Sequence, residues 1–267
     1  MMPPILVLTL HHIHPKEDSL SISPTLLEKA LTRILDWGFS FVSYEEFIEA
    51  ILHNKNIGKK RALLTFDDGY FDLYRFGFPV LKKLQIPAVC FLITDKITDF
   101  TRENYDLEPK SHKELEYSGD LEYFLNLSEI LEMHQSGLLE FDSHTATHFP
   151  CNSDDTQRIK EELIKSRDKI LEIFPSKKHL GFCFPKGLFV PHSLDLLQTC
   201  GYEFAFSTLD GGYYKGDNLF RIRRIDISQN RKGERDYLQR LRKKLMLYSL
   251  PVIGSLYSDF KNRKKLK

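Results

Sequence analysis

Cross-linking chemistry is scarce in this 267-residue chain: its four cysteines, Cys90, Cys151, Cys183 and Cys200, form no CxxC pair and no dense framework. That excludes a disulfide-stapled scaffold and makes buried free thiols, in a reducing compartment, the expectation. Charge of one sign is also missing. A formal net charge of +1 provides no global field for nucleic acid, although Lys and Arg crowd the last fifth of the sequence. Nor is there a long hydrophobic run. Met1-Met2-Pro3-Pro4-Ile5 has no basic stretch, and the apolar residues Ile5 to Leu10 give way to histidines after six positions, too few for a signal peptide or a membrane span. A soluble, cytoplasmic protein is therefore expected. No linker divides the chain, and 42% hydrophobic residues are ample for a buried core.

What is present is a rhythm. Ile5 to Leu10 reads as a strand and ends in His11-His12-Ile13-His14. Ser23-Pro24 opens an amphipathic helix closed by Gly38, and Phe39 to Val42 feeds a capping box of Ser43 and Glu46. Leu63 to Phe66 is a buried strand stopped by Asp67-Asp68-Gly69-Tyr70, a helix spans Phe71 to Leu84, and Pro87 to Ile93 is the next strand. This β-α order predicts a parallel sheet. After an aperiodic stretch, Leu138 to Phe141, Gly181 to Phe184, Glu203 to Ser207 and Arg221 to Ile227 continue as strands. A total of about seven or eight strands, most followed by a helix, suggests a closed barrel in one domain over residues 1–230 rather than an open sheet.

Two segments break the pattern. Residues from about 95 to 127 mix charges and tyrosines without apolar periodicity and read as an insertion: a lid or binding loop, or a solvated decoration. In residues 231–267, Leu238, Leu241, Leu245 and Tyr248 recur at helical spacing before the basic tail Lys261 to Lys267. A final helix packed on the barrel is expected there, with weak contact to an anionic membrane surface as a second reading of the tail.

Asp67 and Asp68 lie where an α/β fold meets its ligand, at the carboxyl end of a strand. Adjacent acids repel, so such a pair awaits a cation or a shared proton, unless it simply caps the following helix. His144 and His148, four residues apart after another strand, bear on that choice. One turn of helix-like backbone would aim both imidazoles the same way. Two histidines and a carboxylate leave coordination positions open for water, as in catalytic zinc sites.

At this point the residues resemble a family. Thr65-Phe66-Asp67-Asp68-Gly69-Tyr70 and Ser143-His144-Thr145-Ala146-Thr147-His148 are similar to the first two motifs of the NodB-type polysaccharide deacetylases, carbohydrate esterase family 4. The resemblance runs over roughly residues 3–227 and implies a distorted (β/α)7-type barrel. It also implies that Asp67 is the general base and that Asp68, His144 and His148 hold one divalent cation, Zn2+ or else Co2+, Ni2+ or Mn2+. The substrate implied is an N-acetylglucosamine-containing glycan, which loses its N-acetyl group by hydrolysis. A monomer acting on a glycan, without nucleic acid, is the expected arrangement.

The sequence departs from the family twice. The third motif usually carries an arginine that pairs with the base; here Cys183 stands in its place, before Phe184-Pro185-Lys186-Gly187. The backbone N–H of Lys186 remains a candidate oxyanion donor, and Arg223 or Arg224 a candidate substitute for the arginine. The late Leu-X-X-His motif is also absent, since no histidine follows His192. The poly-N-acetylglucosamine deacetylase branch carries its histidine in an N-terminal segment that Leu10-His11-His12-Ile13 resembles. His11 is thus the candidate acid, with His12 a weaker candidate and His14 an alternative extra ligand. Tyr70 is a candidate sugar contact. Three other readings remain: the same metal chemistry on a different substrate, such as a chitooligosaccharide, a lipid-linked sugar or a non-sugar amide; a carbohydrate-binding pseudoenzyme, suggested by Cys183 and Lys186; and a metal-dependent phosphoesterase, for which no second carboxylate and histidine set is evident.

Overall fold

The computed structural model describes residues 3–16, 20–228 and 233–263. The expected boundary at 230/231 and the tail residues 264–267 lie outside them.

Seven strands close into a parallel ring: β1 (Ile5–Leu10), β2 (Arg61–Phe66), β3 (Ala88–Leu92), β4 (Leu139–Ser143), β5 (Gly181–Cys183), β6 (Phe204–Asp210) and β7 (Ile222–Asp226). β1 closes it, pairing with β2 along its whole length and with β7 at Leu8 and Thr9. β1, β2 and β3 are apolar on both faces because they are buried on both faces, whereas β4 and β7 carry charged residues among the apolar ones. Val7, Leu63, Val89, Phe91, Phe204 and Phe206 pack in one cluster together with Phe47, Ile48 and Ile51. Leu6, Leu8, Leu10, Leu64, Phe66 and Phe141 pack in another with the outer helices. This is the NodB (β/α)7 architecture.

The helices follow local signals. α1 (Pro24–Asp36) starts on Ser23, whose hydroxyl accepts from Leu26 N–H, with proline in its first turn. α2 (Tyr44–Leu52) carries the expected Ser43/Glu46 capping box. It covers the starts of the strands, where Tyr44 meets Phe204 and the Tyr213 hydroxyl donates to the Ile51 carbonyl at 3.5 Å. The helix after Asp68 is not uniform: a π-helical stretch, Leu73–Gly77, precedes α3 (Phe78–Leu84). Gly77 faces Ile13 there, and a Cβ would sit 2.4 Å from Ile13 Cδ1. A π turn next to a site is common, and this one has no signature in the sequence.

Residues 95–127 form a packed cap over one side of the barrel mouth. α4 (His112–Tyr117) begins with a Ser111/Glu114 capping box. Arg102 is buried, ion-paired to Glu129 at 2.6 Å, hydrogen-bonded to the carbonyls of Glu122 and Phe124, and stacked 3.6 Å over the Phe71 ring. The Leu125 N–H donates to the Gly69 carbonyl at 2.9 Å, tying this cap to the Asp-Asp-Gly turn.

Beyond it, α5 (Leu127–Gln135), α6 (Thr156–Ile173) and α7 (Pro191–Thr199) complete the outer layer. The C-terminal segment forms two helices instead of the single one expected: α8 (Glu234–Tyr248) and α9 (Pro251–Asn262). Pro251 separates them, since proline disfavours helix at the residue before it and fits the first turn of the next. Leu241, Leu245 and Tyr248 of α8 are buried, as their spacing predicts. Among the described residues no helix is long and apolar enough to cross a membrane.

Candidate active site

The carboxyl ends of the strands gather the chemistry at one mouth. At the end of β2 the Asp67 N–H donates to the Leu10 carbonyl, extending the β1 ladder by one residue. The chain then turns through two successive left-handed residues, Asp68 (φ 72°) and Gly69 (φ 73°). Glycine serves at the second position because a Cβ there would lie 2.7 Å from Leu92 Cδ2. The turn sends the two acids in different directions.

Asp67 faces Arg224 on β7. Arg224 Nη1 donates to Oδ1 and Nη2 to Oδ2, both at 2.7 Å, in a buried two-pronged pair. Burial raises the Asp67 carboxyl, but the Arg224 charge and hydrogen bonds outweigh it and hold the group below its ordinary range. Arg224 therefore stands where the sequence left an arginine unassigned, and Arg223 turns outward to Asp217 and Asp259. Cys183 Sγ lies 3.6 Å from Asp67 Oδ2; burial pushes its thiol up, so it is a neutral neighbour. His11 Nε2 is also 3.6 Å from Oδ2.

Asp68 faces the histidines. His144 Nε2 and His148 Nε2 each lie 3.3 Å from Oδ1. His144 Nδ1 is 2.7 Å from the Cys183 carbonyl, which can only accept, so Nδ1 donates and Nε2 is the nitrogen that faces Asp68. Burial lowers the His144 pKa, but Cys183 and Asp68 outweigh it and hold it well above its ordinary range, so Nε2 shares a proton with Asp68 that a bound cation would displace. Burial lowers the His148 pKa to about 4, keeping that imidazole neutral. The expected helical turn between the histidines is absent. The loop is irregular, with Thr145 at φ 64° and His148 at φ 66°, and Glu162 of α6 holds it by accepting from the Thr147 N–H and hydroxyl at 2.8 Å.

A cation fits this set. Both Asp68 oxygens are buried and have only imidazole nitrogens at 3.3–3.7 Å for partners, none within good hydrogen-bond distance, a state that a cation would compensate. Zinc bonds of about 2.0–2.2 Å at tetrahedral angles place donor atoms roughly 3.3 Å apart, the spacing found between Asp68 and both imidazoles. The three side chains line a cavity of about 350 Å³ together with His11, His112, Lys186, Thr208 and Arg224.

Of the residues expected here, Asp68, His144, His148, His11 and Lys186 line that cavity, and Asp67 lies at its back beside Arg224. Lys186 is left-handed (φ 57°), and the following Gly187 cannot carry a side chain, because a Cβ would meet Thr208 Oγ1 at 2.0 Å. Tyr70 differs from expectation. It is 3% exposed and does not line the cavity; its ring stacks on His12 at 3.8 Å and its hydroxyl lies 3.2 Å from His112 Nδ1. His112 itself went unforeseen: it comes from the cap, 3.7 Å from Asp68 Oδ2. The Ser111/Glu114 capping-box spacing was the available signal for its helix. His12 and His14 are buried to one side with Asp72 and do not line the cavity.

A closed parallel barrel presenting two acids from one strand end and two histidines from another defines a hydrolase of the deacetylase kind. The family model for polysaccharide deacetylase matches residues 54–205, more than half of the chain, and the chain belongs to that family. The poly-beta-1,6-N-acetyl-D-glucosamine N-deacetylase of Staphylococcus aureus is 25% identical over 221 residues, covering 79% of this chain and 69% of that protein. Among solved structures, the Streptococcus pyogenes deacetylase PplD in complex with acetate is 25% identical with a TM-score of 0.72, covering 88% of this chain and 97% of the other. IcaB from Ammonifex degensii shares the fold, with a TM-score of 0.71 at 22% identity over 90% of this chain and 97% of its own.

Proposed function

We propose that this deacetylase hydrolyses the N-acetyl group of an N-acetylglucosamine unit in a glycan, using one divalent cation, Zn2+ or a similar ion, held by Asp68, His144 and His148. The observation that carries the reading is the division of labour between adjacent acids: Asp68 faces two imidazole nitrogens at 3.3 Å and Asp67 a guanidinium at 2.7 Å. The S. aureus relative's name supports the substrate class.

The cation would supply Lewis acidity to the acetyl oxygen and to a water. Asp67, kept ionised by Arg224, takes a proton from that water as general base, and the guanidinium fork holds the carboxylate in one orientation. Donors on the cavity wall, the Lys186 backbone among them, favour the developing oxyanion. The amine leaves as a neutral group once it receives a proton from His11, whose Nε2 lies 3.6 Å from Asp67. Water and amide are thereby converted to acetate and amine. Cys183 and Lys186 gave reason to expect an impaired, sugar-binding relative; Arg224, arriving from another strand to pair with Asp67, supports the catalytic reading instead.

The test is acetate release from partially acetylated glucosamine oligomers, with and without added Zn2+. Asp67→Asn should retain the metal and lose about 100-fold or more of turnover. Undiminished acetate release by this variant would refute the assignment of the base.

A further inference from the structure

α9 is mounted the opposite way round from an ordinary amphipathic helix. Its barrel-facing side is small and polar: Gly254, Ser258 and Asn262 are the buried positions. A Cβ on Gly254 would meet the Tyr214 hydroxyl at 2.6 Å and the Tyr248 carbonyl at 2.8 Å. Asn262 exchanges two hydrogen bonds with the Asp210 backbone, at 2.9 and 3.0 Å. The opposite side is apolar and faces solvent: Val252 is 53% exposed, Ile253 57%, Leu256 65%, Tyr257 36% and Phe260 65%. At about 100° per residue these five positions span one contiguous face. Leu250, at 45%, extends it before the helix begins. A helix that packs its polar side and presents its apolar side has the wrong face outward for a protein surrounded by water.

Charge indicates what covers it. Lys261 sits over the Tyr257 ring and Arg263 over the Phe260 ring, at 5.9 and 5.7 Å, so cations border the apolar face as they do on membrane-surface helices. Residues 231–267 hold twelve basic and three acidic side chains, leaving a net −8 on the rest of a chain whose total is +1. Of those acids, Asp259 is engaged by Arg223 at 2.8 Å. A second copy docked face to face would bring two such basic segments together. An anionic surface would not be repelled.

We propose that α9 is a membrane-surface element that lies with Val252, Ile253, Leu256 and Phe260 among the acyl chains of an anionic bilayer and with Arg263 at the headgroups, while Lys261 pairs with Asp210 at 2.5 Å and fastens the helix to the barrel. The helix is tied to Asp210, which follows the cavity residue Thr208 by two positions on β6. Lipid contact thus keeps the barrel mouth close to the bilayer, whatever the substrate. The anchor is a single helix and basic residues, so binding should be reversible and salt-sensitive.

The experiment is co-sedimentation of the full chain with phosphatidylcholine vesicles, with or without about one third phosphatidylglycerol. Binding to the anionic vesicles is expected, with partition reduced about tenfold or more in Ile253→Ser/Leu256→Ser/Phe260→Ser and by a smaller factor in Arg263→Gln/Lys264→Gln/Lys265→Gln. Acetate release from soluble oligomers should stay unchanged in both, because Ile253, Leu256, Phe260 and Arg263 do not line the cavity. A separate Leu256→Trp variant should show a blue-shifted emission with anionic vesicles, read against the native Trp37. The proposal is overturned if wild-type protein ignores anionic vesicles, if the serine variant binds them as well, or if lipid-free protein dimerises through α9 and the dimer does not bind lipid.

Discussion

Two groups among the described residues have the same donor set, two histidines and an aspartate, and they face spaces of very different size. Asp68, His144 and His148 border about 350 Å³ of space, and neither Asp68 oxygen has a donor within good hydrogen-bond distance. His12, His14 and Asp72 also bring their ligating atoms within 4.8 Å of one another. There, however, His12 Nδ1 is already 2.7 Å from Asp72 Oδ2, the His12 ring is stacked on Tyr70, and the adjoining space is about 20 Å³. The first group has its lone pairs turned toward room for a water and a substrate. The second has an internal hydrogen bond and packed rings, so the same side chains brace Tyr70, which in turn meets His112. Residue type proposes a metal site; the direction of the lone pairs and the space in front of them decide it.

The largest expected effect breaks this contrast directly. His148→Ala should lower Zn2+ affinity by more than about 100-fold, with deacetylation lost alongside it. Calorimetric titration would read it, and an undiminished tight site in the variant would move the metal to His12, His14 and Asp72. Next comes Arg224→Met, which strands Asp67 as a buried unpaired charge and should cost about 3–5 kcal/mol of stability, read from denaturant unfolding. The Asp67 carboxyl, now held low by Arg224 against burial, would rise without it. The deficit should then be greatest near neutrality and shrink as acid protonates Asp67. An additional Asp67→Asn should restore part of the stability; additive losses would mean the pair is not coupled. The smallest effect is expected from His12→Ala: about 1–3 kcal/mol of stability and less than a tenfold change in turnover. A complete loss of acetate release with metal still bound would instead transfer the proton-donor role from His11 to His12.

The same contrast shows what the sequence makes legible. The β-α order could be read because each strand is a short apolar run punctuated by glycine, proline and caps. Asp67, Asp68, His144 and His148 could be read because each pair is local in the chain. Arg224 was narrowed to two candidates, and the alternation of a strand between core and surface separates them: Arg224 points inward and Arg223 outward, beside a shift in register. His112 was hidden because its segment has no periodicity of its own; the cap is organised by a buried arginine, Arg102, and not by a hydrophobic stripe. Tyr70 stands behind the cavity wall, stacked on His12 and 3.2 Å from the wall residue His112, a position its place after the Asp-Asp-Gly turn does not reveal. The inverted face of α9 was obscured because the spacing Leu238, Leu241, Leu245 and Tyr248 suggested one helix, where Pro251 allows a second with its own orientation.

The closure of the ring by β1 bears on how the protein is made. β1 must pair with residues 61–66 on one side and 225–226 on the other, and Asp67 meets Arg224 across 157 positions. Such pairings are entropically late, since nearly the whole chain has to be in place before they form. A ribosome-bound chain that has released β1 and β2 but not β7 carries Asp67 with no partner for its charge. The last stave to be synthesised completes the barrel and neutralises the Asp67 carboxylate in the same event. An unfinished chain therefore holds an incomplete site, and acquisition of activity becomes a marker for the final step of folding.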